Sequence, residues 1–256
     1  MNIQEKLTKI VEDMPKVYEA GKTEGIAEGK KAEYDAFWDK YQNAINGSSN
    51  VYSAMYMFAG TSWNDTVFKP KYSMRYITRA DNMFASANIG NLKGILERRG
   101  LVFDFKNSTN FRSMFAYSQI TAIPEIDTMK ATGTALNSMF AYATSLHTID
   151  KLAINSNGTQ TFSDTFRDCT ALENIEISGI IASNGFNVQW STKLTKASIT
   201  SIINALSTTT TGLTVTFSKT AVNNAFATSE GAADGSTSAE WLALVATKSN
   251  WTISLA

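Results

Sequence analysis

The sequence predicts an α/β repeat protein, a solenoid of short strands and short helices with an N-terminal helical arm and an α/β C-terminal cap. Three observations predict it. A Met-Phe-Ala triplet occurs four times, at intervals that suit one supersecondary unit. Short runs of alternating apolar residues lie between the triplets. The first 46 residues carry 16 charged side chains and the other 210 carry only 30, so the chain begins with a segment of different composition.

The predicted arm covers residues 1–46. Its first apolar residues are spaced by four, three, four and three positions, which is the heptad spacing of a coiled-coil seam. These residues are Ile3, Leu7, Ile10, Met14 and Val17. Pro15 has no backbone amide to donate, so we expect the helix to break there. A charged amphipathic arm indicates oligomerisation or anchoring to another protein, with simple packing on the body as the open alternative.

The predicted solenoid covers residues 47–190. Its phenylalanines are spaced by 26, 31, 25 and 26 residues, and they are Phe58, Phe84, Phe115, Phe140 and Phe166. Leu146 and Leu172 follow the last two at six residues, and Ile149 and Ile175 follow them at nine. A unit of about 25 residues cannot bury its own apolar face, so the units are expected to stack and to bury all nine of these residues.

Within each unit the apolar spacing predicts local structure. An apolar residue stands four positions before each phenylalanine, which predicts one helical turn that points both side chains inward. Leu101–Phe105 and Leu152–Ile154 are predicted as short strands. The long second interval contains Gly90–Gly100, a predicted small helix closed by a glycine.

The predicted cap covers residues 191–256. A stripe of isoleucines after Thr195 or Ser198 predicts a capped helix. The remaining predicted elements are a strand at Leu213–Phe217, helices at Ala221–Phe226 and Ala239–Ala246, and a strand at Trp251–Leu255. The last unit of a solenoid exposes its core, so this segment is interpreted as its cover.

Two family resemblances follow from these residues. Phe166–Ile177 matches the pattern F-x-x-C-x-x-L-x-x-I-x-I, and Phe140–Ile149 repeats it with Ala143 in the cysteine position. This pattern resembles that of BspA-like leucine-rich repeats. Lys31–Asp39 and the tail Phe186–Ala256 are similar to tail-associated proteins of phages and prophages of gut Firmicutes. The resemblance implies a leucine-rich-repeat solenoid in a phage tail that binds a host surface.

Composition excludes several classes of function. The 23 basic and 23 acidic residues cancel, so neither nucleic acid nor an anionic membrane is expected as a partner. One cysteine, Cys169, and one histidine, His147, cannot form a disulfide or a two-histidine metal site, so no metal or cofactor is expected. No signal peptide and no membrane span is visible. We therefore expect the protein in a virion tail, or in the host cytoplasm before assembly.

Tyr117 and Tyr142 are the candidate binding residues. Each follows a core phenylalanine by two positions, so both are expected on one face of neighbouring units. They are interpreted as an exposed aromatic ladder for contact with a glycan or a protein. The alternative is that both are ordinary half-buried surface tyrosines.

Residues that could support catalysis are few. Asp164 and Asp168 are four positions apart, and Glu173 and Glu176 are three apart, so either pair could share a face and serve hydrolysis. Both pairs fall in positions expected to face outward, where charges are ordinarily solvated. His147 has no companion at a recognised motif spacing, and Cys169 falls on an apolar repeat position. No catalytic residue is expected.

The sequence therefore favours a non-enzymatic recognition protein, a phage or prophage tail component that binds a bacterial surface protein or glycan. The arm would join it to other tail or virion proteins and would form a homo-oligomer, a trimer by analogy with tail fibres. Several linked copies would bind with avidity. A bacterial surface or secreted adhesin is the alternative, and a glycan hydrolase is the third hypothesis.

Overall fold

The computed structural model describes residues 54–55, 58–60, 77–98, 103–155, 160–227 and 234–256. The predicted arm, residues 1–46, lies outside them. The helices are α1 (Leu92–Glu97), α2 (Lys196–Ala205), α3 (Lys219–Phe226) and α4 (Ala239–Ala246). The strands are β1 (Ala122–Ile123), β2 (Ile126–Asp127), β3 (Thr148–Ala153), β4 (Asn174–Ser178), β5 (Asn187–Val188), β6 (Leu213–Phe217) and β7 (Trp251–Leu255). In these ranges no helix has both the length and the apolar character needed to cross a bilayer.

The first four strands form one parallel sheet whose register follows the sequence spacing. Ile123 pairs with Ile149, and Ile149 pairs with Ile175, each 26 residues further along the chain. All three isoleucines are buried. Equivalent residues of successive units therefore form straight columns, because one unit of chain brings the backbone back to the same place in the neighbouring layer.

The phenylalanines form a second column behind the sheet. Neighbouring rings of the column have centroids 5.1 to 5.5 Å apart and interplanar angles of 2° to 20°. Its members are Phe58, Phe84, Phe115, Phe140 and Phe166, all fully buried. Leu146 and Leu172 are fully buried as well. The column belongs to a single apolar core that continues into the C-terminal segment.

The prediction of a helical turn around each phenylalanine is wrong. Each segment is a run of turns in which the residues two before and two after the phenylalanine have φ between 54° and 61°. These left-handed residues are Asn82, Ser86, Ser113, Tyr117, Ser138, Tyr142, Asp164 and Asp168. A right-handed helix has no place for them.

The hydrogen bonds explain why turns replace the helix. The Asn82, Phe84 and Ser86 amides donate to carbonyls of the next unit at 2.7 to 2.9 Å. The intervening amides of Met83 and Ala85 close turns within their own segment. A helix would use every amide internally and leave none for the neighbouring unit. The alternation satisfies the buried backbone in both directions, and it recurs around Phe115 and Phe140.

The predicted strand at Leu101–Phe105 is also wrong over its described part. Phe103 and Phe105 are buried, as alternation requires, but residues 103–105 belong to no strand. The Asp104 carboxylate accepts the Lys106 amide at 3.1 Å and begins a turn there. The small helix of the long interval is α1, and Asn91 caps it by accepting the Gly94 amide at 2.7 Å.

The C-terminal segment has the predicted helices and strands. Strand β6 lies between β5 and β7 in a second parallel sheet, with β6 and β7 at the predicted bounds. Helix α2 begins after Thr195, whose hydroxyl accepts the Ser198 amide. Helix α2 packs beside β4, the last strand of the first sheet, so a helix lies where a further strand would otherwise continue the stack.

Candidate functional site

The two candidate tyrosines lie directly against each other. Their ring centroids are 4.6 Å apart and their planes differ by 7°, so Tyr117 and Tyr142 are stacked. The Arg167 guanidinium lies on Tyr142, with Cζ 5.3 Å from the ring centroid. We call these three side chains the Tyr-Tyr-Arg stack. They come from three successive units and form one continuous strip along the stacking direction.

The stack is open at its Tyr117 end. Tyr117 is 61% exposed, and Tyr142 is half-buried between Tyr117 and Arg167. The same position one unit earlier is Ser86, which has no ring to extend the column. One face of the Tyr117 ring is therefore covered by Tyr142, and the opposite face is accessible to a ligand.

The backbone holds both rings in an uncommon conformation. Tyr117 has φ of 59° and Tyr142 has φ of 61°, which costs a non-glycine residue about 1 kcal/mol. The same position in other units holds Gly60, Ser86 or Asp168, residues that adopt this region more readily. The Tyr117 and Tyr142 amides each donate to the next unit, at 2.8 and 2.7 Å, so the rings stand on a fixed backbone.

Two carboxylates hold Arg167 in place. Asp164 lies 3.8 Å from its Nη1 and Asp168 lies 3.7 Å from its Nε. All three side chains are between a third and a half exposed. The guanidinium is oriented by the ring of Tyr142 on one side and by acidic groups around it, so it remains an ordered hydrogen-bond donor at the surface.

The candidate catalytic pairs lie in different surroundings. Asp164 and Asp168 are brought together, but around Arg167 and on left-handed turn residues, not on the helical face that the spacing predicted. Glu173 is half-buried and Glu176 is exposed on β4. A catalytic acid of a glycosidase needs burial that raises its pKa, and the exposed ion pairs of Asp164 and Asp168 favour the charged form instead.

His147 and Cys169 are separate from the stack. The exposed His147 ring places Nδ1 2.7 Å from the Ser145 carbonyl oxygen. Cys169 is fully buried, and its thiol donates to the Phe140 carbonyl at 3.1 Å. Burial raises the pKa of Cys169 to about 12, so the thiolate does not form near neutral pH. Within the described part of the chain, no three His, Cys, Asp or Glu side chains are grouped as metal ligands.

Arg167 is the functional candidate that the sequence reasoning missed. It directly follows the core Phe166, in the position that Ala59, Ala85, Ala116 and Ala141 occupy in the other units. A long cation in an alanine position was the available signal. Its link to Tyr142 was not visible because the ring belongs to the preceding unit, 25 residues earlier.

Comparison with known proteins adds no relative to this description. No protein-family model matches the chain, and no curated protein or solved structure matches it either.

Proposed function

We propose that this protein is a non-enzymatic recognition protein, a BspA-like leucine-rich-repeat solenoid that binds a bacterial surface through the Tyr-Tyr-Arg stack. The observation that carries the proposal is the stack itself. Tyr117 and Tyr142 stack at 4.6 Å, and the outer tyrosine is 61% exposed. Rigid, amphipathic aromatic side chains beside an arginine are the residue types that dominate recognition surfaces.

Backbone strain supports a binding role. The fold does not need a ring at this position, since Gly60, Ser86 and Asp168 occupy it in other units. Two aromatic residues are nevertheless held at positive φ with much of one ring in water. Strained backbone of this kind concentrates at binding and active sites, where it fixes side chains for a ligand. The strain is therefore assigned to ligand contact rather than to folding.

The biological setting is proposed from the resemblance to tail-associated proteins. The solenoid would be carried by a phage or prophage tail, and the arm at residues 1–46 would join it to other tail proteins as a homo-oligomer, proposed as a trimer. Linked stacks would then engage a cell surface together and bind with avidity. A bacterial adhesin would use the same stack but would be displayed by the cell that makes it.

Binding to intact bacteria tests the proposal. Labelled full-length protein is titrated on cells of several gut Firmicutes, beside a Tyr117→Gly, Tyr142→Gly double variant. Glycine accepts positive φ, so the double variant keeps the backbone while it loses both rings. Ser86→Gly is the matched control at the same position of another unit. We expect at least a tenfold loss for the double variant and none for the control, and equal binding by all three proteins would refute the proposal.

Two further measurements separate the alternatives. Release of reducing sugar from host polysaccharide, lost in an Asp164→Asn, Asp168→Asn variant, would favour the hydrolase hypothesis. Light scattering of the full chain beside a chain that starts at Asn50 tests the arm. A trimer that becomes a monomer on truncation would support assembly through the arm, and a monomer in both cases would remove the avidity argument.

A further inference from the structure

We infer that the ligand of the Tyr-Tyr-Arg stack is an uncharged glycan, with one sugar ring packed on the open face of Tyr117. This inference rests on the proposed function and names the ligand class for the same site. Three properties of the surroundings lead to it: the shape of the open ring, the sparse apolar surface near it, and the charges beside it.

The shape of the site suits a flat, rigid partner. Tyr142 lies parallel to one face of Tyr117, within 7°, and leaves the other face of that ring open. The C–H groups on one face of a sugar ring pack against an aromatic face in the same parallel arrangement. Fixed φ at both tyrosines means that little side-chain order has to be gained on binding, which matters for a ligand that offers few contacts.

The apolar surface is too sparse for a protein partner. A protein interface needs a buried apolar centre within a contact of roughly 1,200 to 2,000 Å². Ala116 and Ala141, which precede the two tyrosines, are buried. Among the described residues, the other exposed large apolar side chains belong to different segments: Met129 after β2, Ile180 after β4 and Leu242 in α4. Tyr117 is thus a single aromatic platform rather than the centre of an apolar patch.

The charges disfavour an acidic polymer. Arg167 supplies one positive charge, and Asp164 and Asp168, which contact it at 3.8 and 3.7 Å, supply two negative ones. The cluster therefore carries a net charge of about −1 at neutral pH, which repels teichoic acids and other polyanions. The same groups suit sugar hydroxyls, because each hydroxyl both donates and accepts a hydrogen bond and finds a carboxylate acceptor beside a guanidinium donor.

Binding to a glycan array tests the inference. The array carries uncharged oligosaccharides of glucose, galactose, mannose, rhamnose and N-acetylglucosamine beside polygalacturonate and teichoic acid. The full-length protein is expected to bind at least one uncharged glycan and neither acidic polymer. Tyr117→Gly should weaken that binding at least tenfold, whereas Tyr117→Phe, which keeps the ring face, should retain it within about threefold. Ser86→Gly serves as the matched control and should bind like the unaltered protein.

Treated cells separate failure of the inference from failure of the proposed function. Periodate destroys sugars with vicinal diols, and protease removes surface proteins. If cell binding depends on both tyrosines but survives periodate and is lost with protease, the stack is a binding site and the glycan inference is wrong. Binding to no uncharged glycan on the array, or preference for an acidic polymer, would also overturn the inference. Cell binding that ignores both tyrosines would overturn the proposed function itself.

Discussion

The Ser198 hydroxyl oxygen accepts the hydrogen bond of the Ile175 amide at 2.9 Å, so a side chain of helix α2 satisfies the backbone of strand β4. Ser201 does the same for the Ile177 amide, also at 2.9 Å. These serines stand where the carbonyls of a further strand would accept. The edge of the first sheet is thereby closed by hydroxyl groups, which removes a row of amides that would otherwise invite pairing with another chain.

Replacing Ser198 by Ala should lower the free energy of unfolding by about 1 to 3 kcal/mol, because a buried amide loses its acceptor. Ser201→Ala should cost less, since Ser201 is only half-buried and water can reach the Ile177 amide. Urea unfolding followed by circular dichroism measures both. Equal stability of Ser198→Ala and the unaltered protein would mean that α2 does not cap β4 through this contact.

The left-handed turns predict an unusual glycine effect. Ser138 has φ of 56°, so Ser138→Gly should relieve strain and raise the stability by about 0.5 kcal/mol or more. A helical turn at the same place would give the opposite sign, a loss of about 1 kcal/mol. Thermal unfolding of Ser138→Gly beside Ser138→Val decides between them, and the β-branched valine should be clearly destabilising.

Phe140 tests the central column. It stacks on Phe115 at 5.5 Å and on Phe166 at 5.4 Å and has no solvent-exposed surface. Phe140→Ala should cost about 3 to 5 kcal/mol, because the neighbouring layers are fixed by hydrogen bonds and cannot collapse onto the cavity. Phe140→Leu should cost markedly less, since it fills most of the volume. Chemical denaturation of both variants checks the order, and equal losses would contradict tight packing.

Lys248 gives a pH dependence with a defined sign. Its Nζ donates to the Asn204 carbonyl at 3.0 Å and to the Leu206 carbonyl, both at the end of α2. Desolvation lowers the pKa of Lys248 below its ordinary 10.5, so the charged form is penalised in the folded state. Between the lowered pKa and 10.5 the unfolded chain binds more protons, so stability should rise with pH in that window.

The reference for this effect is Lys248→Met, which keeps the apolar stem and does not titrate. The difference in unfolding free energy between the two proteins should grow as the pH rises toward 10.5 and then level off. Lys93 and Lys151 have pKa values raised by hydrogen bonds to Asp150 and Glu125, but they are common to both proteins and cancel. A difference that stays constant with pH would show that Lys248 is solvated.

Much of the fold could be predicted because it depends on periodic burial. The columns of Phe140 and Phe166, and of Ile149 and Ile175, repeat at one spacing, and apolar spacing is readable from a single sequence. The C-terminal strands and helices carry ordinary signals, such as the alternation in Leu213–Phe217. The helical turns were wrong because apolar residues four apart also fit two consecutive turns, and residues such as Ser113 gave no sign of positive φ.

The site could be predicted only in part. Tyr117 and Tyr142 share an offset from the core phenylalanines, so their common face followed from the repeat. The stacking of the two rings did not follow, because it depends on a left-handed backbone that points both in the same direction. Arg167 was missed because it joins the stack through contact between units, which sequence spacing alone does not reveal.

The 26-residue register has a consequence for how this protein changes its length. Excision of residues 118–142 would join Tyr117 to Ala143 and leave Tyr117 in the layer now occupied by Tyr142, next to Arg167. Duplication of one layer would instead lengthen the aromatic strip by one ring. Because the layers bond to one another through the same backbone groups, insertion or loss of a whole layer alters the strip without disturbing the register. Recombination between layers is thus a direct route to altered specificity.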